Sequence, residues 1–264
     1  MTDNRVLAAL NHPAVQRVLF HPRPDDAPRP LPPVSYKDMV HPDGIRLSGE
    51  HHSCGTENAP LILFFHGNGE IASEYRELAP FFTALGWDFL VMDYRGYGRS
   101  KGEPTAISLQ EDALWILDSL HKENPDRPIA LMGRSLGSAA VLHAAARRPQ
   151  LPAALIVESG FADTQPLIRL LGADMKALGI PDDADFGNLE GVRTFRGPTL
   201  IIHGENDHVI PLAQAQKLKN HAAGHPLSMV IIPTADHNTL FYYGLKPYFT
   251  AIASLLEAIP DARI

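Results

Sequence analysis

One cysteine, Cys54, is all the sulfhydryl this 264-residue chain has. A lone thiol closes no internal disulfide and brings no second sulfur to metal-ligand spacing, so a disulfide scaffold and a cysteine zinc site are excluded and a reducing compartment fits. Long apolar runs are also missing. Nothing approaches the roughly 18 residues that cross a bilayer, and residues 1–10 lack the basic start and apolar stretch of a secretory leader. The expectation is a cytoplasmic protein without stable membrane insertion. Basic residues are outnumbered, 23 against 30 acidic for a net charge of −7, and no local basic stripe offsets the deficit, so no nucleic-acid partner is expected. The 13 histidines are scattered. H-E-x-x-H is absent and His51-His52 are adjacent, pointing to opposite faces of a strand, so no metal site is expected.

What is present is a chain 45% hydrophobic, enough to bury a full core. Val6, Leu7, Leu10, Ala14, Val18 and Leu19 recur at helical spacing, predicting an amphipathic helix over residues 4–20, broken or kinked at Pro13. Six prolines between Pro22 and Pro33 follow and read as an extended strap, so residues 1–33 form an N-terminal helix-and-strap segment ahead of a main domain at 34–264. Residues 34–40 and 45–53 around His41-Pro42-Asp43-Gly44 predict an antiparallel hairpin. Short apolar runs at 61–65, 89–92, 129–132, 155–157, 200–202 and 229–232 read as strands buried on both faces.

Helical patterns at 71–85, 108–122, 136–147, 212–222 and 246–258 fill the gaps, with Ser108 and Glu111 at capping-box spacing and Pro211 suited to a first helical turn. Alternating strands and helices predict an α/β fold with a parallel sheet, helices on both faces and chemistry at the carboxyl rim of the strands. Between 157 and 200 the rhythm breaks. The apolar cluster there, including Leu167, Leu170 and Met175, predicts a lid insertion at about 161–196, with a plain helical hairpin as the alternative.

Two stretches fit G-x-S-x-G, around Ser100 and Ser135. A nucleophile elbow needs a buried strand before the serine and a small-residue helix after it. Ser135 has both, in Ile129-Ala130-Leu131-Met132 and Ser138-Ala139-Ala140, whereas Ser100 runs into Pro104 and reads as a turn residue. A serine hydroxyl needs a base and an orienting acid. His237 and Asp207 follow strands downstream, in the chain order that such sheets use, with Glu205 and Asp236 as rival acids and His203 and His208 as rival bases. A developing oxyanion needs preset N–H donors: Leu136 at the helix start, and Asn68, or else Gly69, in the loop His66-Gly67-Asn68-Gly69.

Phe64-Phe65-His66-Gly67-Asn68, Asp93-Tyr94-Arg95-Gly96-Tyr97-Gly98, Gly133-Arg134-Ser135-Leu136-Gly137, Gly204-Glu205-Asn206-Asp207 and Asp236-His237-Asn238, taken in this order, resemble the α/β-hydrolases. More narrowly they are similar to the Bem46-like, serine-aminopeptidase-type (S33-like) branch. The resemblance implies the α/β-hydrolase fold with an eight-stranded, mostly parallel sheet, catalytic Ser135, Asp207 and His237, and an oxyanion hole of Asn68 and Leu136. Ala235 stands where a glycine often precedes the histidine of this family. The expected activity is a cofactor-independent serine hydrolase acting on a small-molecule ester or thioester through an acyl-enzyme. A peptidase or aminoacyl amidase with the same triad, with Glu158, Asp163 and Asp174 as candidates to hold an amine, is the first alternative. A non-catalytic binding protein on the same fold is the second.

Overall fold

The computed structural model describes residues 4–222 and 224–259. The N-terminal periodicity becomes two helices, α1 (Asn4–Ala9) and α2 (Pro13–Leu19). Pro13 opens the second, where its missing N–H costs nothing, and His12 Nδ1 caps the Ala14 N–H at 3.2 Å. The strap then crosses the surface and is clasped to the glycine turn at residue 98: the Gly98 N–H donates to the Arg23 carbonyl at 2.8 Å and the Asp25 N–H to the Gly98 carbonyl at 3.3 Å.

Eight strands follow: β1 (Val34–Val40), β2 (Arg46–His52), β3 (Leu61–Phe65), β4 (Asp88–Met92), β5 (Ile129–Arg134), β6 (Pro152–Glu158), β7 (Thr199–Gly204) and β8 (Leu227–Ile232). They form one sheet in the order β1-β2-β4-β3-β5-β6-β7-β8. β1 and β2 pair antiparallel, β2 joins β4 antiparallel, and every later pairing is parallel. Helices α3 (Ala79–Thr83), α4 (Ala106–Glu123), α5 (Gly137–Arg147), α6 (Thr164–Leu170), α7 (Asn188–Thr194), α8 (Leu212–His221) and α9 (Leu240–Glu257) complete the layers.

Strand alternation sorts the core into two halves. Leu61, Leu63 and Phe65 of β3 join the core half that holds α4 and α5, while Ile62 and Phe64 join the half that holds α3 and α9. The central strands β3, β4 and β5 are buried throughout. The last apolar run departs from the expected burial on both faces: β8 is the sheet edge, with only Ile232 buried.

Several boundaries depart from the sequence patterns for local reasons. α4 starts earlier, with Thr105 as N-cap and Ser108 as its reciprocal partner at 2.9 and 2.8 Å, so the capping box is Thr105/Ser108 and not Ser108/Glu111. Pro211 is the N-cap of α8 rather than its first turn. The pattern at 71–85 divides into a 3-10 turn at Ala72–Glu77 and α3, where Pro80 occupies the opening turn. α9 begins at Leu240 and kinks at Gly244, where a Cβ would stand 2.4 Å from Ile232.

The segment between β6 and β7 has two parts. α7 lies directly on α5, since a Cβ on Gly191 would stand 2.7 Å from the Leu142 carbonyl. α6 stands at the carboxyl rim beside α2, with Leu170 55% exposed, while Met175 is buried in the core.

Candidate active site

β5 ends in a turn that only small residues permit. A Cβ on Gly133 would lie 2.4 Å from the Gly137 carbonyl oxygen, and one on Gly137 would lie 2.0 Å from the Phe65 carbonyl oxygen. Between these glycines Ser135 adopts φ 52°, a left-handed conformation that costs a side-chain-bearing residue about 1–3 kcal/mol. Its N–H donates to the Glu158 carbonyl at 2.9 Å, and its own carbonyl accepts from Ser138 Oγ at 2.6 Å, so the surrounding backbone holds the strain in place. Ser159 (φ 46°) after β6 and Thr234 (φ 63°) after β8 are strained likewise at the same rim.

Ser100, the serine of the second G-x-S-x-G, is buried. Its Oγ donates to the Asp93 carbonyl at 2.9 Å and accepts the Ser48 N–H at 2.9 Å, tying β2 to the turn after β4.

Ser135 Oγ lies 3.0 Å from His237 Nε2, and His237 Nδ1 lies 2.7 Å from Asp207 Oδ2. The other carboxylate oxygen, Oδ1, accepts the N–H groups of Val209 at 2.9 Å and Ile210 at 2.7 Å, which fixes the rotamer of Asp207. A carboxylate only accepts, so Nδ1 of the neutral ring carries the proton and Nε2 is left to accept from the serine hydroxyl.

The rival residues lie elsewhere. Glu205 accepts the Thr234 N–H at 3.0 Å, while the Asn206 N–H donates to the Ala235 carbonyl at 2.8 Å; together they latch the loop after β7 to the loop that carries His237. Asp236 is exposed and caps Asn238 and Thr239. His203 is fully buried behind Asp207, 3.4 Å from Oδ2, with Nε2 2.7 Å from the Ile210 carbonyl; burial pushes its imidazole pKa down, against the opposing pull of that carbonyl and of Asp207. His208 is exposed.

Leu136 and Asn68 both line the cavity that Ser135 faces. The contact of Gly137 with the Phe65 and His66 carbonyls brings the loop after β3 against the start of α5. Among the described residues neither the Leu136 nor the Asn68 backbone N–H has a protein acceptor. The Asn68 side chain is already engaged: Oδ1 accepts the His21 N–H at 2.9 Å and the Tyr97 hydroxyl at 2.7 Å.

Two charged residues of this site escaped the sequence reading. Arg134 donates to Glu70 Oε1 at 2.8 Å, Glu158 Oε1 at 3.0 Å, the His237 carbonyl at 3.0 Å and Asn238 Oδ1 at 2.9 Å. Glu70 Oε2 accepts the Gly67 N–H at 2.7 Å and the Tyr75 hydroxyl at 2.5 Å, and Tyr248 donates to Glu158 Oε2 at 2.6 Å. One guanidinium thus joins the elbow, the loop after β3 and the histidine loop. Burial works to raise the Glu70 carboxyl, but Arg134 and the Tyr75 hydroxyl outweigh it and hold the pKa below the usual carboxylate range. In Arg134, burial is overcome by Glu158 and Glu70, which raise its pKa further. The only cue in the sequence was that Arg134 sits inside the elbow motif; a motif does not say which way that side chain turns.

The cavity above Ser135 has a volume of about 280 Å³, and Leu19, Leu167, Leu171 and Val209 give it an apolar wall. Leu167 and Val209 also line an adjoining apolar groove of about 150 Å³ between α6 and the turn before α8, where Leu170 lies. The acidic candidates for holding a substrate amine are committed to other partners: Glu158 to Arg134 and Tyr248, Asp163 to Lys217, and Asp174 to the N–H groups of Lys176 and Ala177.

Comparison with known proteins follows the same lines. The family model described as Serine aminopeptidase, S33, matches residues 56–179. An uncharacterized protein of Mycobacterium tuberculosis is 31% identical over 202 residues, covering 74% of this chain and 69% of that protein. The lysophosphatidylserine lipase ABHD12 of Rattus norvegicus is 33% identical over 183 residues, 63% of this chain and 46% of the lipase, so the chain spans about half of that relative's length. Among solved structures, the esterase Pf2001 of Pyrococcus furiosus superposes with a TM-score of 0.70 at 17% identity, covering 90% of this chain and 98% of that one.

Proposed function

The chain belongs to the α/β-hydrolase superfamily, and from that premise we propose a cofactor-independent serine hydrolase that cleaves carboxylic esters or thioesters through an acyl-enzyme. The observation that carries the reading is the unbroken row Ser135 Oγ, His237 Nε2, His237 Nδ1, Asp207 Oδ2, with 3.0 and 2.7 Å at its two hydrogen bonds.

In this mechanism Ser135 Oγ attacks the carbonyl carbon as its proton passes to His237 Nε2. Asp207 holds the ring in the accepting tautomer and stabilises the imidazolium that forms. The negative charge that develops on the carbonyl oxygen is met by the backbone N–H groups of Leu136 and Asn68; a preset donor of this kind is worth about 3–4 kcal/mol in the transition state. Collapse expels the alcohol or thiol, which takes the proton from Nε2. A water then enters, gives its proton to His237, and releases the acid while Oγ recovers a proton.

The substrate's acyl part belongs on the apolar side of the cavity, against Leu167, Leu171 and Val209, with the groove beyond Leu167 as room for a longer chain. That the ABHD12 relatives are named lysophosphatidylserine lipases supports an apolar acyl group here. None of Glu158, Asp163 and Asp174 lines the cavity above Ser135, which supports esters over aminoacyl amides.

The test is reaction with a fluorophosphonate followed by peptide mapping, alongside turnover of acyl esters, acyl thioesters and aminoacyl amides. A single adduct on Ser135 and ester or thioester turnover that vanishes in Ser135→Ala are expected. An adduct on Ser100, or a protein inert to both probe and substrates, would overturn the reading.

A further inference from the structure

The N-terminal strap does more than cover the fold, because His21 is part of the wall of the cavity that Ser135 faces. Its hydrogen bonds settle which ring nitrogen has a proton to give. The His21 backbone N–H, which can only donate, points to Asn68 Oδ1 at 2.9 Å and to the Tyr97 hydroxyl oxygen at 2.7 Å. The Tyr97 hydroxyl, accepting there, donates in turn to Asn68 Oδ1 at 2.7 Å. Two donors converging on one atom make it the amide oxygen, so Asn68 Nδ2 is the donor in its 2.8 Å contact with His21 Nδ1. A nitrogen that accepts carries no proton, and the neutral His21 ring therefore carries its proton on Nε2. Among the described residues no protein acceptor takes that Nε2–H.

The lining of the cavity is of two kinds. Leu167 and Val209 are shared with the apolar groove beside α6. His21, Asn68, Glu70 and Asn238 give it a polar part. Asn68 Oδ1 is doubly used, and Glu70 is spent on Arg134, Tyr75 and Gly67. His21 Nε2–H, like the Asn238 side-chain amide and the second N–H of Asn68 Nδ2, is a side-chain donor of this lining without a protein acceptor among the described residues, and it is the one that the strap supplies.

We propose that His21 is a substrate-binding residue, its Nε2–H donating to an acceptor oxygen in the alcohol half of the ester. The assignment rests on the serine-hydrolase reading, which sends the acyl half to the apolar lining and its adjoining groove and leaves the polar lining for the alcohol half. It makes the strap a determinant of specificity: the enzyme favours esters whose alcohol carries an ether, hydroxyl or phosphoryl oxygen a few bonds from the scissile linkage.

The decisive comparison uses two esters of octanoic acid that match in size and differ by one acceptor atom, the 2-methoxyethyl ester and the butyl ester. Steady-state constants are measured for the unsubstituted protein, His21→Phe, which keeps a ring without a donor, and His21→Gln, which keeps a donor. The expected result is that His21→Phe lowers kcat/KM for the methoxyethyl ester about tenfold more than for the butyl ester, the scale of one hydrogen bond, mostly through KM. His21→Gln should recover part of the difference. An equal loss on both esters would reduce His21 to a latch for the Asn68 loop and overturn the inference. No loss on either, or turnover of the butyl ester alone, would overturn it as well. A protein inert to both esters and to the fluorophosphonate overturns the serine-hydrolase reading itself and this inference with it, whereas ordinary turnover with unchanged selectivity sinks only the role of His21.

Discussion

Arg134 donates a hydrogen bond from Nη1 to the backbone carbonyl of His237 at 3.0 Å, across 103 positions of sequence. The residue beside the candidate nucleophile thereby holds the loop of the candidate base, and through Glu70 it also holds Gly67 in the loop of the oxyanion donor. The same guanidinium pairs with the buried carboxylate of Glu158 and the half-buried one of Glu70.

Arg134→Met leaves the buried carboxylate of Glu158 and the half-buried one of Glu70 without their cation. Loss of one partner from a buried ion pair costs about 3–5 kcal/mol, so urea unfolding should show a loss of that order. Arg134→Lys keeps a charge but not the planar fork that reaches four acceptors. It should lower kcat by at least tenfold with a smaller loss of stability. Equal activity of Arg134→Lys and the unsubstituted protein would remove the positioning role.

Ser135 in its left-handed turn stores strain that a glycine would not feel. Ser135→Gly should therefore be inactive yet more stable by about 1 kcal/mol in denaturant titration. Ser135→Ala, which keeps a Cβ, should lose about six orders of magnitude in kcat with stability nearly unchanged. A Ser135→Gly variant less stable than the unsubstituted protein would contradict the strain argument.

Leu167 sits where the cavity meets its apolar extension. Leu167→Trp should block the extension and shift the preferred acyl chain to shorter lengths, read from kcat/KM over a series of p-nitrophenyl esters. Leu167→Ala should relax that preference. An unchanged chain-length profile in both variants would place the acyl group elsewhere.

His52 and His143 set a pH limit on stability. Burial pushes both imidazoles down to about 4, His52 with help from the charges of His51 and Arg76, and His143 with help from Arg147. The carboxylates of Glu50 and Glu111 also face them. The unfolded chain, with ordinary histidines near 6.5, binds more protons between pH 6.5 and 4, so stability is full above that window and falls as pH drops through it. The loss reaches at most about 3 kcal/mol per histidine. His52→Asn and His143→Asn should each flatten the fall in urea midpoint between pH 7 and pH 4.5; an unaltered slope would refute the assignment.

The capping of α4 gives a small and clean test of local structure. Thr105→Ala should cost about 1 kcal/mol, while Glu111→Ala should cost nothing from capping. The reverse order would restore the Ser108/Glu111 cap that the spacing alone suggested.

The sequence by itself determined the strands, the alternation of strand and helix, and the glycines at 133 and 137 that only a sharp elbow requires. Each of these is written in local chemistry: apolar periodicity, backbone freedom and turn residues act over a few positions. Chain order likewise placed residues 135, 207 and 237 after the parallel strands β5, β7 and β8, because parallel strands with right-handed crossovers leave their carboxyl ends on one rim. The tertiary structure alone decided what local chemistry cannot encode. It put Asp207, held by two loop N–H groups, and not Glu205 beside His237, turned Arg134 inward to join three loops, made β8 an edge, moved the cap of α4 to Thr105, and laid the strap so that His21 lines the cavity. These outcomes depend on contacts between residues dozens of positions apart, and such contacts are fixed by packing, which no pattern along the chain records.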